Sequence, residues 1–289
     1  MPRVFRLDDD GAQEVAVGDT SSLDAITRQL PAGLYTSFRT FQHGRGVLKL
    51  RLHLRRLYAP ARQRGILPAV DGQRLRQILA MLLDDLSGEA RLRLVLTFQG
   101  EVYLAIEPFS PLPDEVYAQG VRLITVPLHR VRPGLKATHF IEISQQARQQ
   151  VQAEGAFEAL MVYRGRILEG LTSNFFYVRS GCLGTARRGV LPGVTRRIVL
   201  SLARSRGLSL DDRPLPLSEL AEISEAFLTS SSRGIVPVVQ IDAVRVGEGR
   251  PGRVTRCLME AYQTYVERNV EPIWPPTGRS KQARNYERS

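Results

Sequence analysis

The chain has 289 residues, 43% of them hydrophobic, 24% charged and 7% aromatic, with a formal net charge of +11. That composition can fill one large core or two medium ones; no apolar run is long enough to span a bilayer, and the opening MPRVFRLDDDGAQEV lacks a signal-peptide layout, so a cytoplasmic protein with no membrane partner is expected. The surplus charge raises nucleic acid as a partner, but the basic residues are dispersed and nearly all arginine (Lys49, Lys136 and Lys281 are the only lysines), with no interleaved stacking aromatics and no nucleic-acid motif, so none is expected.

In chain order, residues 33–42 (GLYTSFRTFQ) read as a strand, followed by a turn over 43–46 and a second strand over 47–52 (VLKLRL). Residues 53–65 carry apolar side chains at helical spacing and stop at Gly65, and residues 72–86 form a strongly amphipathic helix. Residues 91–98 and 101–109 alternate around Gln99-Gly100, a hairpin pattern. Three prolines in residues 108–113 mark an interdomain linker. Beyond it come a strand over 120–128, a helix over 140–155, a hairpin over 159–170 and strands over 174–186. A helix over 191–207 has a Pro-Gly start and a Gly end. Strands at 226–230 and 235–242 and an amphipathic helix over 254–269 complete the pattern, and residues 273–289 read as a polar, mobile tail. The whole is α+β in two domains, 1–107 and 114–272, each with its own sheet.

Cys182 and Cys257 are the only cysteines, too few and too far apart for a disulfide framework or a zinc site, and no metal is expected. Five other segments carry chemistry. Lys136 lies in RPGLKATHF, between a Pro-Gly break and a helix; an amine partly desolvated at a domain junction would be nucleophilic. Glu169, in RILEGLTSNFFYV, ends a strand before a Thr-Ser-Asn cluster and could face a ring nitrogen. LPGVTRR, 191–197, puts Val194 and Thr195 at a helix N-terminus, where free N–H groups favour phosphate. The hydroxyl run Thr229–Ser232 could cradle another side of it. In HLRRL, 53–57, His53 and Arg56 share a helix face, and Arg56 could pair with phosphate. Taken singly, each has a plain structural explanation: a surface lysine, a polar turn, an N-cap, a serine-rich turn, a solvated arginine.

Their joint order and spacing resemble the class IV (fold-type IV) pyridoxal-5′-phosphate (PLP) enzymes, a family of branched-chain, D-amino acid and amine transaminases together with aminodeoxychorismate lyase. The resemblance spans roughly residues 31–270, and EGxTSNxF and PGVTR are its most specific pieces. It implies a two-domain fold, a small α/β domain followed by a larger pseudo-barrel domain, with PLP between them, in a homodimer. It implies Lys136 as the Schiff-base lysine that also shuttles the proton, Glu169 as partner of the pyridine nitrogen, and Arg56 on the phosphate. Val194, Thr195 and Ser231 match the phosphate cup, Asn174 is placed with the cofactor and Tyr35 with the substrate.

Two departures stand out. Where the family often has Asn-Tyr after the lysine, this chain has His139-Phe140, so a tyrosine contact to the cofactor ring oxygen must come from elsewhere or be absent. Where the family often has Phe/Tyr-Glu in the early strand, this chain has Tyr35-Thr36-Ser37. The leading expectation is amino transfer between an amino acid and a 2-keto acid. The alternative is elimination of pyruvate from 4-amino-4-deoxychorismate to give 4-aminobenzoate, with Thr36 or Ser37 assisting proton transfer; hydroxyls at this spot lean that way. Arg93, in the strand RLRLVL, is a candidate anchor for a substrate carboxylate in either case, its plain alternative being an outward-facing strand residue.

Overall fold

The computed structural model describes residues 2–84, 86 and 88–273. The first part of the chain runs β1 (Arg3–Leu7), β2 (Ala12–Glu14), α1 (Leu23–Gln29), β3 (Gly33–Phe41), β4 (Gly46–Leu48), α2 (Leu50–Arg62), α3 (Gly72–Asp84), β5 (Ala90–Thr97) and β6 (Val102–Pro108). The second part continues with α4 (Asp114–Gln119), β7 (Val121–Val126), α5 (His139–Ile143), α6 (Gln145–Ala153), β8 (Glu158–Tyr163), β9 (Arg166–Gly170), β10 (Asn174–Arg179) and β11 (Cys182–Gly184). It ends with α7 (Val194–Ser205), β12 (Leu210–Asp211), β13 (Leu215–Pro216), a 3-10 turn at Leu217–Glu222, β14 (Glu225–Ser230), β15 (Gly234–Ile241), β16 (Val244–Arg245), α8 (Arg253–Asn269) and β17 (Val270–Pro272).

The first sheet is antiparallel in the order β17-β4-β3-β5-β6-β1-β2. Helices α2 and α3 cover one face: Leu50, Leu54, Leu57 and Ala61 from α2 and Leu75, Ile78, Leu79 and Leu83 from α3 recur every three or four residues and sit in one core with Leu92, Leu94 and Leu104. Each such leucine or isoleucine contributes roughly 1.5–3 kcal/mol of burial free energy. In the second sheet, β7, β8, β9, β10, β14 and β15 pair in a ring that closes through Asn174 opposite Glu169. The interior of this barrel is filled by Leu123, Leu160, Ile167, Phe175, Tyr177, Val236 and Val238. A third core, between the barrel and helices α7 and α8, takes in Phe41 and Leu48 of the first sheet, so the two halves share packing.

Three expectations change. The strand expected over 47–52 stops at Leu48: Lys49 adopts φ 53°, and Leu50 starts α2, because Leu50, His53, Leu54 and Leu57 fit one buried helical face. The helix expected over 140–155 is two short ones, with the buried Ser144 hydroxyl donating to the Phe140 carbonyl at 2.7 Å at the break. The chain also does not leave the fold at residue 273. β17 adds to β4 of the first sheet, and Ile273 is fully buried in that sheet's core with its N–H on Arg45 O at 3.0 Å. The remainder of the expected tail, 274–289, lies outside the described residues. The hairpin over 159–170 forms on the residues expected, Arg164 and Gly165 taking φ 49° and 69°, the pair of left-handed positions a tight turn needs. Of the expected linker over 108–113, residues 109–113 belong to neither helix nor strand and run between the end of β6 and the start of α4.

Candidate active site

A cavity of about 430 Å3 lies where the two halves meet, within the usual size range of small-molecule sites. The first half lends it Tyr35, Arg56 and Arg93; the second lends Lys136, Glu169, Asn174, Val194, Thr195 and Ser231. Of the residues given a cofactor, substrate or catalytic role above, the structure brings together all except Thr36. That side chain is fully buried behind Arg56 and is not part of the cavity wall. Its hydroxyl accepts from Arg56 Nη2 at 2.7 Å and lies 3.0 Å from His53 Nδ1. The threonine proton then goes to the imidazole, and none of this group is free to act on a substrate. Burial, helped by the charge of Arg56, holds the His53 pKa well below the usual histidine range, so the ring is neutral.

Lys136 is fixed by backbone. Tyr35 N–H donates to Lys136 O at 2.8 Å, Thr138 N–H to Gly33 O at 2.9 Å, and Gly33 N–H to the Thr138 hydroxyl at 3.0 Å. The lysine loop is thus stitched to the first residues of β3, and Nζ sits 4.6 Å from the Tyr35 ring centroid. Desolvation, reinforced by Arg56, Arg93 and Arg130, pushes the amine well below the ordinary lysine range. An unprotonated amine facing a cavity is a nucleophile and a base.

Glu169 is the penultimate residue of β9, with 1% exposure. Its Oε1 accepts from Arg130 Nε at 3.0 Å; its Oε2 accepts from Asn174 Nδ2 at 2.8 Å and from Leu191 N–H at 2.9 Å. Burial raises the carboxyl pKa, opposed by Arg130 and the Leu191 N–H. The three donors favour the carboxylate form. Asn174 also donates to Leu191 O at 2.9 Å, and a Cβ on Gly193 would come within 2.1 Å of its Oδ1. Glycine at 193 is therefore what lets the start of α7 approach β10.

α7 begins without a side-chain cap, and its first residues, Val194 and Thr195, belong to the cavity wall. Arg56 Nε and Thr229 Oγ1 are buried there with no hydrogen-bond partner among the described residues. Burial lowers the Arg56 pKa to about 10, a cost that an anion would reverse. Ser231 lines the same wall, half-buried, but Thr229 is the deeper hydroxyl. The turn that carries them is held by Arg233, whose Nη2 donates to Glu158 Oε2 and to the Thr172 hydroxyl, both at 2.8 Å. Glu158 Oε1 in turn accepts from Thr172 N–H at 2.7 Å and Ser173 Oγ at 2.9 Å.

Arg93 points inward, not out. Its Nη1 donates to Asp24 Oδ1 at 2.6 Å and its Nε to Ser37 Oγ at 3.1 Å, while Arg148 meets the other Asp24 oxygen at 3.1 Å. Burial pushes the Asp24 carboxyl up, and the two guanidiniums more than reverse it. Two cations sharing one carboxylate leave surplus positive charge on this wall. Arg130, Arg148, Asp24 and Glu158 were not visible in the sequence, where nothing separates Arg130 from its neighbour Arg132, whereas Thr229 opens the hydroxyl run expected to cradle the phosphate. Among the described residues no cluster of three or more His, Cys, Asp or Glu could hold a metal ion.

The class IV amino-transferase family matches the chain over residues 33–241. The chain belongs to that family. A protein of Thermotoga maritima named a probable branched-chain-amino-acid aminotransferase is 31% identical over 266 residues, 89% of this chain and 94% of the relative. A D-alanine aminotransferase of Bacillus licheniformis is 29% identical over 157 residues, 53% of this chain and 55% of that one. The solved T.th. branched-chain amino acid aminotransferase with pyridoxamine 5′-phosphate shares the fold, with a TM-score of 0.78 and 22% identity over 94% of this chain and 98% of that chain. This class IV aminotransferase is thus a transaminase acting on amino and keto acids, in a family of PLP enzymes. The lyase alternative is not favoured: the relatives just described are aminotransferases.

Proposed function

We propose that the enzyme holds PLP in this cavity with Lys136 as its covalent anchor and catalytic base. One observation carries the reading: a buried amine, a buried carboxylate and unpartnered anion donors line one cavity. Arg56 Nε, Thr229 Oγ1 and the uncapped start of α7 fit a phosphate, and the donor set around Glu169 fits a carboxylate held ionised beside a protonated ring nitrogen. Bound PLP would supply an electrophilic carbonyl carbon and an electron-withdrawing ring.

The chain's own residues do the rest. Lys136 Nζ, its amine pushed well below the ordinary lysine range by burial and the neighbouring guanidiniums, would be the covalent anchor and, when free, the base that holds and returns the proton of the donor's Cα. Glu169 would face the ring nitrogen and favour its protonated form, and Asn174 and the Leu191 N–H hold Glu169 in place. Arg56, aimed by Thr36 and His53, would grip the phosphate, with Val194, Thr195 and Ser231 completing the cup. Tyr35 packs over Lys136 and Arg93, and Arg93 with Arg148 offers surplus charge to the substrate carboxylate. The free thiols Cys182 and Cys257 support a reducing, cytoplasmic setting, and the exposed Leu67, Phe98 and Val131 support pairing of two copies.

The test is the visible absorption of the purified protein with PLP. The wild type is expected to show the band of a lysine-linked cofactor, and Lys136→Ala only the spectrum of free or loosely bound PLP. An unchanged band in Lys136→Ala would remove Lys136 from the role.

A further inference from the structure

The cofactor's ring oxygen is the one polar group of PLP for which the residues assigned so far provide no donor. At position 140, where a tyrosine would offer a hydroxyl, this chain has Phe140, buried and without a polar atom. Arg130 covers that ring: its guanidinium carbon lies 3.5 Å from the Phe140 ring centroid. The residue is 7% exposed and belongs to the cavity wall. Its Nε is committed to Glu169 Oε1 and its Nη2 to Leu171 O, both at 3.0 Å. Its Nη1 is buried with no hydrogen-bond partner among the described residues. A guanidinium cannot relieve an unpaired buried N–H by losing its proton, so the position calls for an acceptor that arrives from outside the chain.

The chemistry of the pyridine ring says which acceptor. Its oxygen lies on the perimeter between the ring nitrogen and the carbon that joins the lysine, on the side away from the phosphate arm. Arg130 is bonded to Glu169, the residue proposed for the nitrogen, and is within electrostatic reach of Lys136, the residue proposed for that carbon. The groups proposed for phosphate, Arg56, Thr229 and the start of α7, have their own unpartnered donors and do not need it. We propose that Arg130 Nη1 donates a hydrogen bond to the ring oxygen of bound PLP, making Arg130 a cofactor-binding residue. The inference rests on the reading that PLP occupies this cavity with Lys136 and Glu169 at its two ends.

A cation donating to that oxygen favours its anionic form and disfavours a second positive charge on the adjoining nitrogen of the lysine linkage. It therefore lowers the pH at which that linkage loses its proton, which is read directly as the midpoint of the visible band's change with pH. The experiment is this titration on the holoenzyme and on Arg130→Gln and Arg130→Lys, with melting curves recorded alongside. The expected result is a midpoint raised by about one pH unit or more in Arg130→Gln, a tenfold change in the proton equilibrium. Arg130→Lys keeps the charge but not the planar fork, and a smaller rise in the same direction is expected from it. That second variant carries the test if Arg130→Gln does not fold or does not take up PLP. Midpoints equal to the wild type in a variant that binds PLP overturn the proposal. Absence of any band in the wild type would instead overturn the PLP reading beneath it.

Discussion

At the scale of single residues, the site is a set of buried charges whose partners are incomplete. Arg56 is the clearest case: Nη2 is satisfied by Thr36 and Nε by nothing among the described residues. Charge-assisted hydrogen bonds contribute about 1.5–3 kcal/mol each, so Arg56→Ala is expected to weaken PLP binding by roughly 10- to 100-fold, measured by equilibrium titration of the apoenzyme. An unchanged affinity would show that the phosphate is held elsewhere. His53 makes a different prediction, because its pKa is depressed in the folded protein. Below about pH 6.5 the unfolded chain binds a proton that the folded chain refuses, so this group's share of stability is complete above that pH and is lost as pH falls, by ~1.4 kcal/mol per unit. Urea denaturation from pH 7 to pH 5 is expected to show that slope in the wild type and a smaller one in His53→Asn. Equal slopes would contradict a neutral buried His53. Most of these residues were legible in the sequence because the family's motifs fix their order. Thr36 was misassigned because strand alternation does not reveal that the cavity-facing positions around it are Tyr35 and Ser37. Arg130 was missed because an arginine's partners six residues from the lysine are set by tertiary structure alone.

At the scale of elements, two local devices position the chemistry. One is the stitching of the lysine loop to β3 by the Tyr35, Thr138 and Gly33 hydrogen bonds. The other is the close approach of Gly193 to Asn174, which sets the uncapped start of α7 beside the strand that carries the Glu169 network. Gly193→Ala places a methyl 2.1 Å from Asn174 Oδ1 where no space exists. Displacing that amide disturbs one donor to Glu169 and the α7 N-terminus together, so PLP affinity is expected to drop about tenfold or more, with stability lowered by roughly 1–3 kcal/mol. A variant with wild-type affinity and melting temperature would refute the role given to this contact. Element type was readable wherever apolar spacing was long and regular, as in α3, α7 and α8. It failed at residues 49–52, because VLKLRL satisfies strand alternation locally while its leucines also fit the face of α2.

At the scale of the whole molecule, the two halves are not independent beads. The third core joins Phe41 and Leu48 to helices α7 and α8, and the chain returns after α8 to complete the first sheet with β17 and bury Ile273. The boundary expected after residue 272 was drawn from composition, which changes there toward polar residues; burial of one isoleucine beyond a short edge strand leaves no periodic signal. Ile273→Ala is expected to cost about 2–4 kcal/mol, measured by denaturant unfolding. A loss below about 0.5 kcal/mol would mean that residues 270–273 are not part of the cooperative fold.

The cavity between the halves carries the central claim, reversible amino transfer through Lys136. The most direct measurement is the visible spectrum of the PLP-loaded enzyme on addition of single L- and D-amino acids, followed by a 2-keto acid. At least one amino acid is expected to bleach the band and the keto acid to restore it, with neither change in Lys136→Ala. A wild-type band that no amino acid bleaches, or bleaching that no keto acid reverses, would contradict it.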